Sequence, residues 1–590
     1  MARYSLHSEI GTQRLRTVGV CWLLVTGLFI VRLLYLETVQ HARYTSQASG
    51  ARTLHQSIRA KRGEIFAHDA RAGQETLYPI AINQDKFLLV SDNRKVKDTV
   101  HAAHVIASSS GIEGVDEVVL LQKLSVAGRA YQPLLKDVRV ENMESMTAQM
   151  ERENVAGLYF DREPARFYPE RELLAHISGF IGKDTAGAAV GRYGVEGYFD
   201  EQLRGVDGFV RTEKDPFGGW IPVADREFKA ATDGSDLIVT VDRVIQLRLC
   251  DALAQGVKKY EARSGSGIIM DPHTGAILAM CNVPTFDPNE YQKVGDPSVY
   301  NNDALFRAFE PGSVFKAFTM SAALDAGVVS PDTTYVDAGF VKRDGFTIRN
   351  AANKIWGTET MTNVIKESIN TGTVFAADLL GIDRFKTYVE NFGFGAKTGV
   401  ELKTEEKGII KSLRKKGSVY IATASFGQGI TVTPMQLIQG YGAIANKGVM
   451  MKPYITYAWR DAAAQVTVTK PTEIRRVISE KAAAQITEMM RAVVDEAHGK
   501  LARVPGYSIA GKTGTAQIVG NKGKYEDASI NNHTFVGYGP IANPRFVMLI
   551  TYEAPHARFA ESTAVPTFGE VAKFLLEYLG VSQDRPLAQK

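Results

Sequence analysis

Apolar and polar positions alternate in different ways along the chain, and each pattern predicts a different kind of element. Thr17 to Leu36 (TVGVCWLLVTGLFIVRLLYL) is a 20-residue apolar run with one charge, Arg32. As a helix it spans roughly 30 Å, one hydrocarbon thickness, and Arg32 lies near its end, where a long side chain reaches the interface. A cleaved signal peptide has a shorter apolar core followed closely by a small-x-small site; none follows closely here, so a retained anchor is predicted. Residues 41 to 60 are polar and read as a stalk. Short β-like runs follow, such as Lys86 to Val90. Residues 101 to 155 read as helical, with apolar positions spaced as in Val118 to Leu124. Gly182 to Gly194 (GKDTAGAAVGRYG) reads as a flexible loop.

The pattern changes near Ala231. A strand is predicted at Asp236 to Val241 and a helix from about Arg243 to Tyr260, with Val244, Leu247, Leu249, Leu253 and Val257 apolar. A hairpin is expected from Gly267 to Met280, turning at Asp271 to Gly275. Three more strands are expected at Tyr507 to Val519, His533 to Tyr538 and Arg545 to Tyr552, then an amphipathic helix from Phe568 to Leu579. Strands at both ends with helices between predict an α+β domain whose sheet is assembled from distant pieces of chain.

Composition narrows the setting. The 590 residues are 45% hydrophobic and 23% charged, ordinary for globular domains. The net charge of +4 comes from 69 basic and 65 acidic residues, too even to point to nucleic acid. The densest basic run, Lys411 to Lys416, reads as a solvated loop. The three cysteines form no C-x-x-C pair and the 11 histidines show no metal-ligand spacing, so no metal or cofactor is expected. Cys250 and Cys281 sit in apolar surroundings and read as buried thiols rather than as a disulfide. Basic residues flank the anchor on both sides, so charge alone leaves its orientation open.

Three short motifs carry chemistry. Ser313-Val314-Phe315-Lys316 follows Pro311-Gly312 and opens an apolar helical stretch. A serine hydroxyl at a helix N-terminus sits in a positive backbone field that favours a developing alkoxide. Lys316 lies one turn later on the same face, and burial would lower its pKa enough to make it a base. Phe315 and Phe318 are candidates for that desolvation. Ser368-Ile369-Asn370 offers a proton-relaying hydroxyl and an amide that binds a carbonyl; by itself it is a helix cap. Lys512-Thr513-Gly514-Thr515 lies in a strand pattern. Gly514 leaves room for a substrate backbone, Lys512 adds positive field, and Thr513 and Thr515 can hold a carboxylate; by itself it is an edge strand with a bulge glycine. Each motif alone is weak. Together, 55 and then 144 residues apart, they are specific.

On these residues the chain resembles the class B, monofunctional penicillin-binding proteins, whose signature is this ordered set. The resemblance extends over nearly the whole length. It includes Arg62-Gly63-Glu64-Ile65, Arg166-Phe167-Tyr168-Pro169, Gly191 to Gly197, and Ser425 to Ile430 with Thr433 to Leu437. The last of these, with the overall length, is more like the septal members than the elongation type. The middle residue of the second motif is Ile369 rather than Asp.

The resemblance implies five segments. They are a tail (1–16), a transmembrane helix (17–36), an elongated N-terminal pedestal or dimerisation-type module (37–230), a transpeptidase domain (231–580) with a central antiparallel sheet covered by helices, and a C-terminal tail (581–590). It implies a catalytic domain outside the cytoplasmic membrane that attacks the D-Ala-D-Ala bond of peptidoglycan stem peptides, probed by β-lactams. Ser313 would form the acyl-enzyme, with Lys316 and Ser368 moving protons and Asn370 binding a carbonyl. Backbone N–H groups of Ser313 and Thr515 would form the oxyanion hole. A polytopic glycosyltransferase and other division proteins would be its membrane partners. The rival readings are a carboxypeptidase or β-lactamase on the same fold, and a non-enzymatic β-lactam sensor or division scaffold.

Overall fold

A computed structural model describes residues 5–44, 53–68, 76–213, 227–518 and 530–586. The chain forms two compact units, one of residues 1–61 and 205–233, the other of residues 62–204 and 234–590.

In the first unit, helix α1 (Ser5–Thr38) contains the predicted anchor and extends it at both ends. Residues Gln13–Thr38 are long and apolar enough to cross a membrane. Trp22, Leu23, Leu28 and Phe29 are largely exposed, so among the described residues no core covers them. The hydroxyls of Thr17, Thr26 and Thr38 each donate to the carbonyl one turn earlier, which satisfies them inside an apolar segment. Arg32 lies over the Tyr35 ring at 5.5 Å, a cation and an aromatic side by side near the helix end. The expected stalk lies partly outside the described residues. Its last part instead forms a strand, Thr53–Ile58, in a three-stranded antiparallel sheet with Gly208–Glu213 and Glu227–Lys229.

The second unit begins with a sheet centred on the long strand Leu77–Ser91, which pairs with Ile65–His68, Gln132–Val138 and Leu158–Phe167. Ile65–His68 in turn runs parallel to Asp236–Asp242. The stretch expected to be helical is therefore three helices, Thr99–Ser109, Glu117–Leu124 and Val140–Arg152, interrupted by a strand. Leu134 and Val138 of that strand are buried with Leu89, Ile106 and Met146, so pairing with a long neighbour outweighs the local helical spacing. The glycine-rich segment expected to be flexible is a hairpin, Phe180–Lys183 with Ala189–Arg192, followed by a helical turn. Its glycines serve close approach: a Cβ on Gly191 would fall 1.9 Å from the Glu196 carbonyl oxygen.

Three family-like segments meet at Glu196, which is fully buried. Arg62 Nε donates to Glu196 Oε2 at 2.8 Å and Arg166 Nε donates to Oε1 at 2.7 Å. Arg62 also reaches Asp200 at 2.9 Å. One carboxylate thus fixes two guanidinium groups from segments 104 residues apart.

The remainder runs α2 (Arg243–Lys259), β1 (Ser264–Met270), β2 (Ile277–Val283), α3 (Lys316–Asp325), α4 (Asn370–Leu380), α5 (Pro434–Ala445), α6 (Glu480–Glu496), β3 (Ala510–Gln517), β4 (Asn531–Gly539), β5 (Phe546–Glu553) and α7 (Ala564–Tyr578), with further elements between. The strands form one antiparallel sheet in the order β2-β1-β5-β4-β3, assembled from the two ends of the region as expected. Both faces are covered. Phe546, Met548 and Ile550 of β5 pack with Leu249 and Leu253 of α2 and with Phe568 and Val571 of α7. Val547 and Leu549, one position out of phase, join a core with Phe318 of α3, Tyr441 of α5 and Met489 of α6. Burial on both faces explains the continuous apolar run of β5, and each such side chain contributes about 1.5–3 kcal/mol.

The cysteine expectation is corrected. Cys250 on α2 and Cys281 on β2 form a disulfide, with Cα atoms 5.5 Å apart. Each is apolar in its local sequence, which reads as thiol burial; only the packing of α2 across β2 brings the sulfurs together.

Replacing Glu196 by Gln leaves two buried guanidinium groups short of their carboxylate. The variant should unfold about 3–5 kcal/mol more easily than the parent in denaturant titrations of the detergent-solubilised chain. An unchanged midpoint would mean that Arg62 and Arg166 find other acceptors.

Candidate active site

Residues Gly312–Phe315 form a 3-10 turn that runs directly into α3. Gly312 takes φ +58°, which aims the chain into the turn, and its N–H donates to the Gly427 carbonyl at 3.0 Å. Ser313 is part-exposed at a cleft, while Val314 and Phe315 are buried. The rings of Phe315 and Phe318 pack on Phe394, with centroids 5.0 and 4.9 Å away.

Lys316, the first residue of α3, is fully buried. Its Nζ donates to the Ser368 carbonyl at 2.5 Å and lies 3.1 Å from Ser368 Oγ. Lys512 of β3, also fully buried, reaches the same Oγ at 3.0 Å. Two ammonium groups around one hydroxyl in a dry site disfavour double protonation. Burial holds Lys316 well below the ordinary lysine range, and the neighbouring Lys512 charge lowers it further. Burial lowers Lys512 to about 7 against the upward pull of the Glu367 carboxylate. Neutral Lys316 can accept the Ser368 proton while charged Lys512 donates to the Ser368 oxygen, which gives the relay a direction. Ser368 itself holds φ +60°, a strained conformation for a residue with a Cβ, and the two lysine contacts help to keep it there.

Asn370 opens α4, and its Nδ2 donates to the Arg349 carbonyl at 2.9 Å. One of its two donor hydrogens is thus held by the protein and the other remains for a ligand. Thr513 and Thr515 line the same cleft as Ser313, Ser368 and Asn370. Thr515 Oγ1 accepts from the Ala560 N–H at 3.3 Å. Strand β3 lies at the sheet edge, but the glycine is not a bulge: its register with β4 is unbroken from Ala510 to Gln517. The space that Gly514 leaves is taken by the protein. A Cβ there would lie 3.0 Å from Val314 Cγ1 and 3.1 Å from the Pro311 carbonyl oxygen, so the glycine lets β3 press against the turn that carries Ser313. The cleft has a volume of about 380 Å³.

Sequence reasoning missed the group that holds the second motif in place. Asp337 is buried and accepts four hydrogen bonds, from Gly339 N (2.9 Å), Trp356 N (2.9 Å), Asn350 Nδ2 (2.8 Å) and Thr371 Oγ1 (2.7 Å). Asn350 Oδ1 in turn accepts from Thr371 N at 3.1 Å. This clamp ties the residue after Asn370 to the segment that carries Trp356, which also lines the cleft. In sequence Asp337 belongs to no motif that would mark it. His498 and Glu561, joined at 2.8 Å, are further cleft-lining residues without a motif to mark them.

Asp337→Asn turns one acceptor oxygen into a donor and leaves buried N–H groups unpaired, at about 1–3 kcal/mol each. Hydrogen exchange at Gly339 and Trp356 should therefore quicken about 10- to 100-fold by mass spectrometry. Unchanged exchange at both would refute the clamp.

Comparison with known proteins agrees with this geometry. Residues 265–573 match the penicillin-binding protein transpeptidase domain and residues 57–239 the penicillin-binding protein dimerisation domain. The chain is 31% identical to stage V sporulation protein D of Bacillus subtilis, over 98% of this chain and 88% of that one. It is 26% identical to the peptidoglycan D,D-transpeptidase FtsI of Escherichia coli, over 99% and 94%. Among solved structures, penicillin binding protein 2X of Streptococcus thermophilus shares the fold with a TM-score of 0.76 at 21% identity, covering 90% of this chain and 81% of that one. Penicillin binding protein 3 of Mycobacterium tuberculosis, in complex with aztreonam, has a TM-score of 0.68 at 27% identity, covering 91% and 100%. With a transpeptidase match over more than half its length and a full-length relative above 30% identity, the chain belongs to the penicillin-binding protein transpeptidase family.

Proposed function

We propose that this protein is a serine-type peptidoglycan D,D-transpeptidase that cross-links stem peptides during septal wall synthesis. The observation that carries the reading is the single Ser368 hydroxyl shared by Lys316 and Lys512, in one cleft with Ser313. Ser313 Oγ attacks the penultimate D-Ala carbonyl as its proton passes to neutral Lys316. The N–H groups of Ser313 and Thr515 receive the oxyanion. Ser368 returns the proton to the departing D-Ala amine, leaving an ester on Ser313. Asn370 orients the donor through its free amide hydrogen. Thr513 and Thr515 bind the terminal carboxylate, with Lys512 as its counter-charge. Gly514 holds the strand close to the nucleophile. An acceptor amine then takes the acyl group. β-Lactams acylate the same serine.

The domain reading follows the same lines: a tail to residue 16, an anchor at 17–36, a pedestal module at 37–230, a transpeptidase domain at 231–580 and a short C-terminal tail. The Cys250–Cys281 disulfide supports a catalytic domain outside the cytoplasm, because such bonds persist in oxidising compartments. The septal assignment is supported by the likeness of Ser425 to Ile430 and Thr433 to Leu437 to the septal members. A membrane glycosyltransferase and other division proteins are its partners in this reading.

Incubation with a fluorescent penicillin should label Ser313 in a stable adduct, located by peptide mapping, and Ser313→Ala should remain unlabelled. No adduct would sink the enzymatic reading, and rapid loss of the label would assign a β-lactamase instead. Depletion in cells should give filaments; rounded cells would move the protein to elongation. The rate of acylation should be low in acid, where Lys316 is protonated and cannot act as base. It should fall again as pH rises through about 7, where Lys512 loses the charge that pairs with the β-lactam carboxylate. A rate still climbing toward the ordinary lysine pKa of about 10.4 would exclude these roles.

A further inference from the structure

The transpeptidase reading, on which this inference rests, sets the cleft two opposite tasks. It must first bind a donor that ends in a carboxylate. After D-Ala leaves, it must admit an acceptor whose primary amine is an ammonium ion at neutral pH. Lys512 suits the first task and opposes the second. The buried lysine pair is committed to Ser313 and Ser368, and an ammonium must also lose a proton before it can attack.

The cleft contains a second acid–base device that these steps do not use. His498 follows α6, and Glu561 lies in the short helical turn Ala560–Ser562. Both line the cleft, and His498 Nδ1 is 2.8 Å from Glu561 Oε2. An ionised carboxylate only accepts, so Nδ1 carries the hydrogen and the lone pair of the neutral ring is on Nε2. This is the arrangement of a histidine base oriented by a carboxylate. The dyad is also close to the donor-binding strand, because the residue before Glu561 gives its N–H to Thr515 Oγ1. Both side chains are about 44% exposed, so a substrate can reach them.

We propose that the His498–Glu561 dyad is the acceptor subsite, and that it recognises the primary ammonium of a second stem peptide. Glu561 supplies the negative charge that draws the ammonium in beside Thr515 once the donor carboxylate has left. His498 Nε2 takes one proton from it. The neutral amine attacks the Ser313 ester carbonyl: the new C–N bond forms and the C–Oγ bond breaks. The second amine proton passes through Ser368 and Lys316 to Ser313 Oγ. The proton on His498 is released to solvent, so the cycle balances with no further reactant.

The test compares two nucleophiles on one acyl-enzyme. The detergent-solubilised full chain is acylated by a D-Ala thioester donor. The acyl group is then partitioned between water, Nα-acetyl-lysine, whose only amine is charged, and hydroxylamine, which is uncharged at neutral pH. In His498→Gln and Glu561→Gln, transfer to Nα-acetyl-lysine relative to hydroxylamine should fall at least about tenfold. A general loss of structure would lower both transfers together and leave that ratio unchanged, and an unchanged ratio overturns the proposal while leaving the transpeptidase reading intact. A parent protein that is acylated but transfers to neither amine overturns both.

Discussion

Lys316 and Lys512 are buried to zero exposure and converge on one serine hydroxyl, and much of this molecule exists to make that arrangement tolerable. Two desolvated ammonium groups within reach of one oxygen would be expensive if both stayed charged. The site resolves this by discharging one of them. Lys316, with a second cation beside it and the Ser368 oxygens as its hydrogen-bond partners, is the one that yields. Lys512 keeps a share of its charge through Glu367, which sits immediately before Ser368 in the chain. The electrostatic problem and the proposed catalysis coincide: the lysine that cannot remain protonated is one turn from Ser313, the proposed nucleophile.

That arrangement needs three rigid supports from distant parts of the chain. Helix α3 carries Lys316 and is held by neighbouring helices and rings, with Phe318 packed on Phe392, Phe394 and Tyr441. The strained Ser368 sits between two helices whose junction is held at Thr371 by the buried Asp337 clamp. Strand β3 carries Lys512, and Gly514 lets it lie against the Ser313 turn with no side chain between. Lys512 projects to the same face of the sheet as its partner Val536, the face covered by α5 and α6, and that cover keeps water from the lysine pair. A sheet solvated on that face, as many antiparallel sheets are, would leave the pair wet and Lys316 charged.

Legibility in the sequence followed the range of the interaction. The three motifs that the fold brings together stood out because each is a local string of marked residue type and spacing. The five-stranded sheet was readable because β1, β2, β4 and β5 carry strong apolar runs. What the sequence concealed depends on tertiary pairing. Gln132–Val138 is a strand only because Leu77–Ser91 lies beside it. Cys250 and Cys281 pair only because α2 crosses β2. Gly514 looked like room for a substrate, and the neighbour that needs the room is a turn 200 residues earlier. Asp337 and the His498–Glu561 pair have no string at all; each is defined by partners brought in by the fold.

The same distinction separates the two halves of the reaction. Donor chemistry is the same for every substrate ending in D-Ala-D-Ala, and the residues assigned to it lie in compact motifs on the packed helices and the sheet edge. Acceptor chemistry must meet an amine on a second, separately tethered strand, and the groups suited to it lie on exposed connections after α6 and before α7. Loops change without disturbing a core, whereas the lysine pair cannot move without rehydrating. A fold built this way can keep one acylation site and vary what it accepts. The acceptor half of such a site is then best sought in the acid–base pairs that the packed core leaves at the cleft rim, rather than in further motifs.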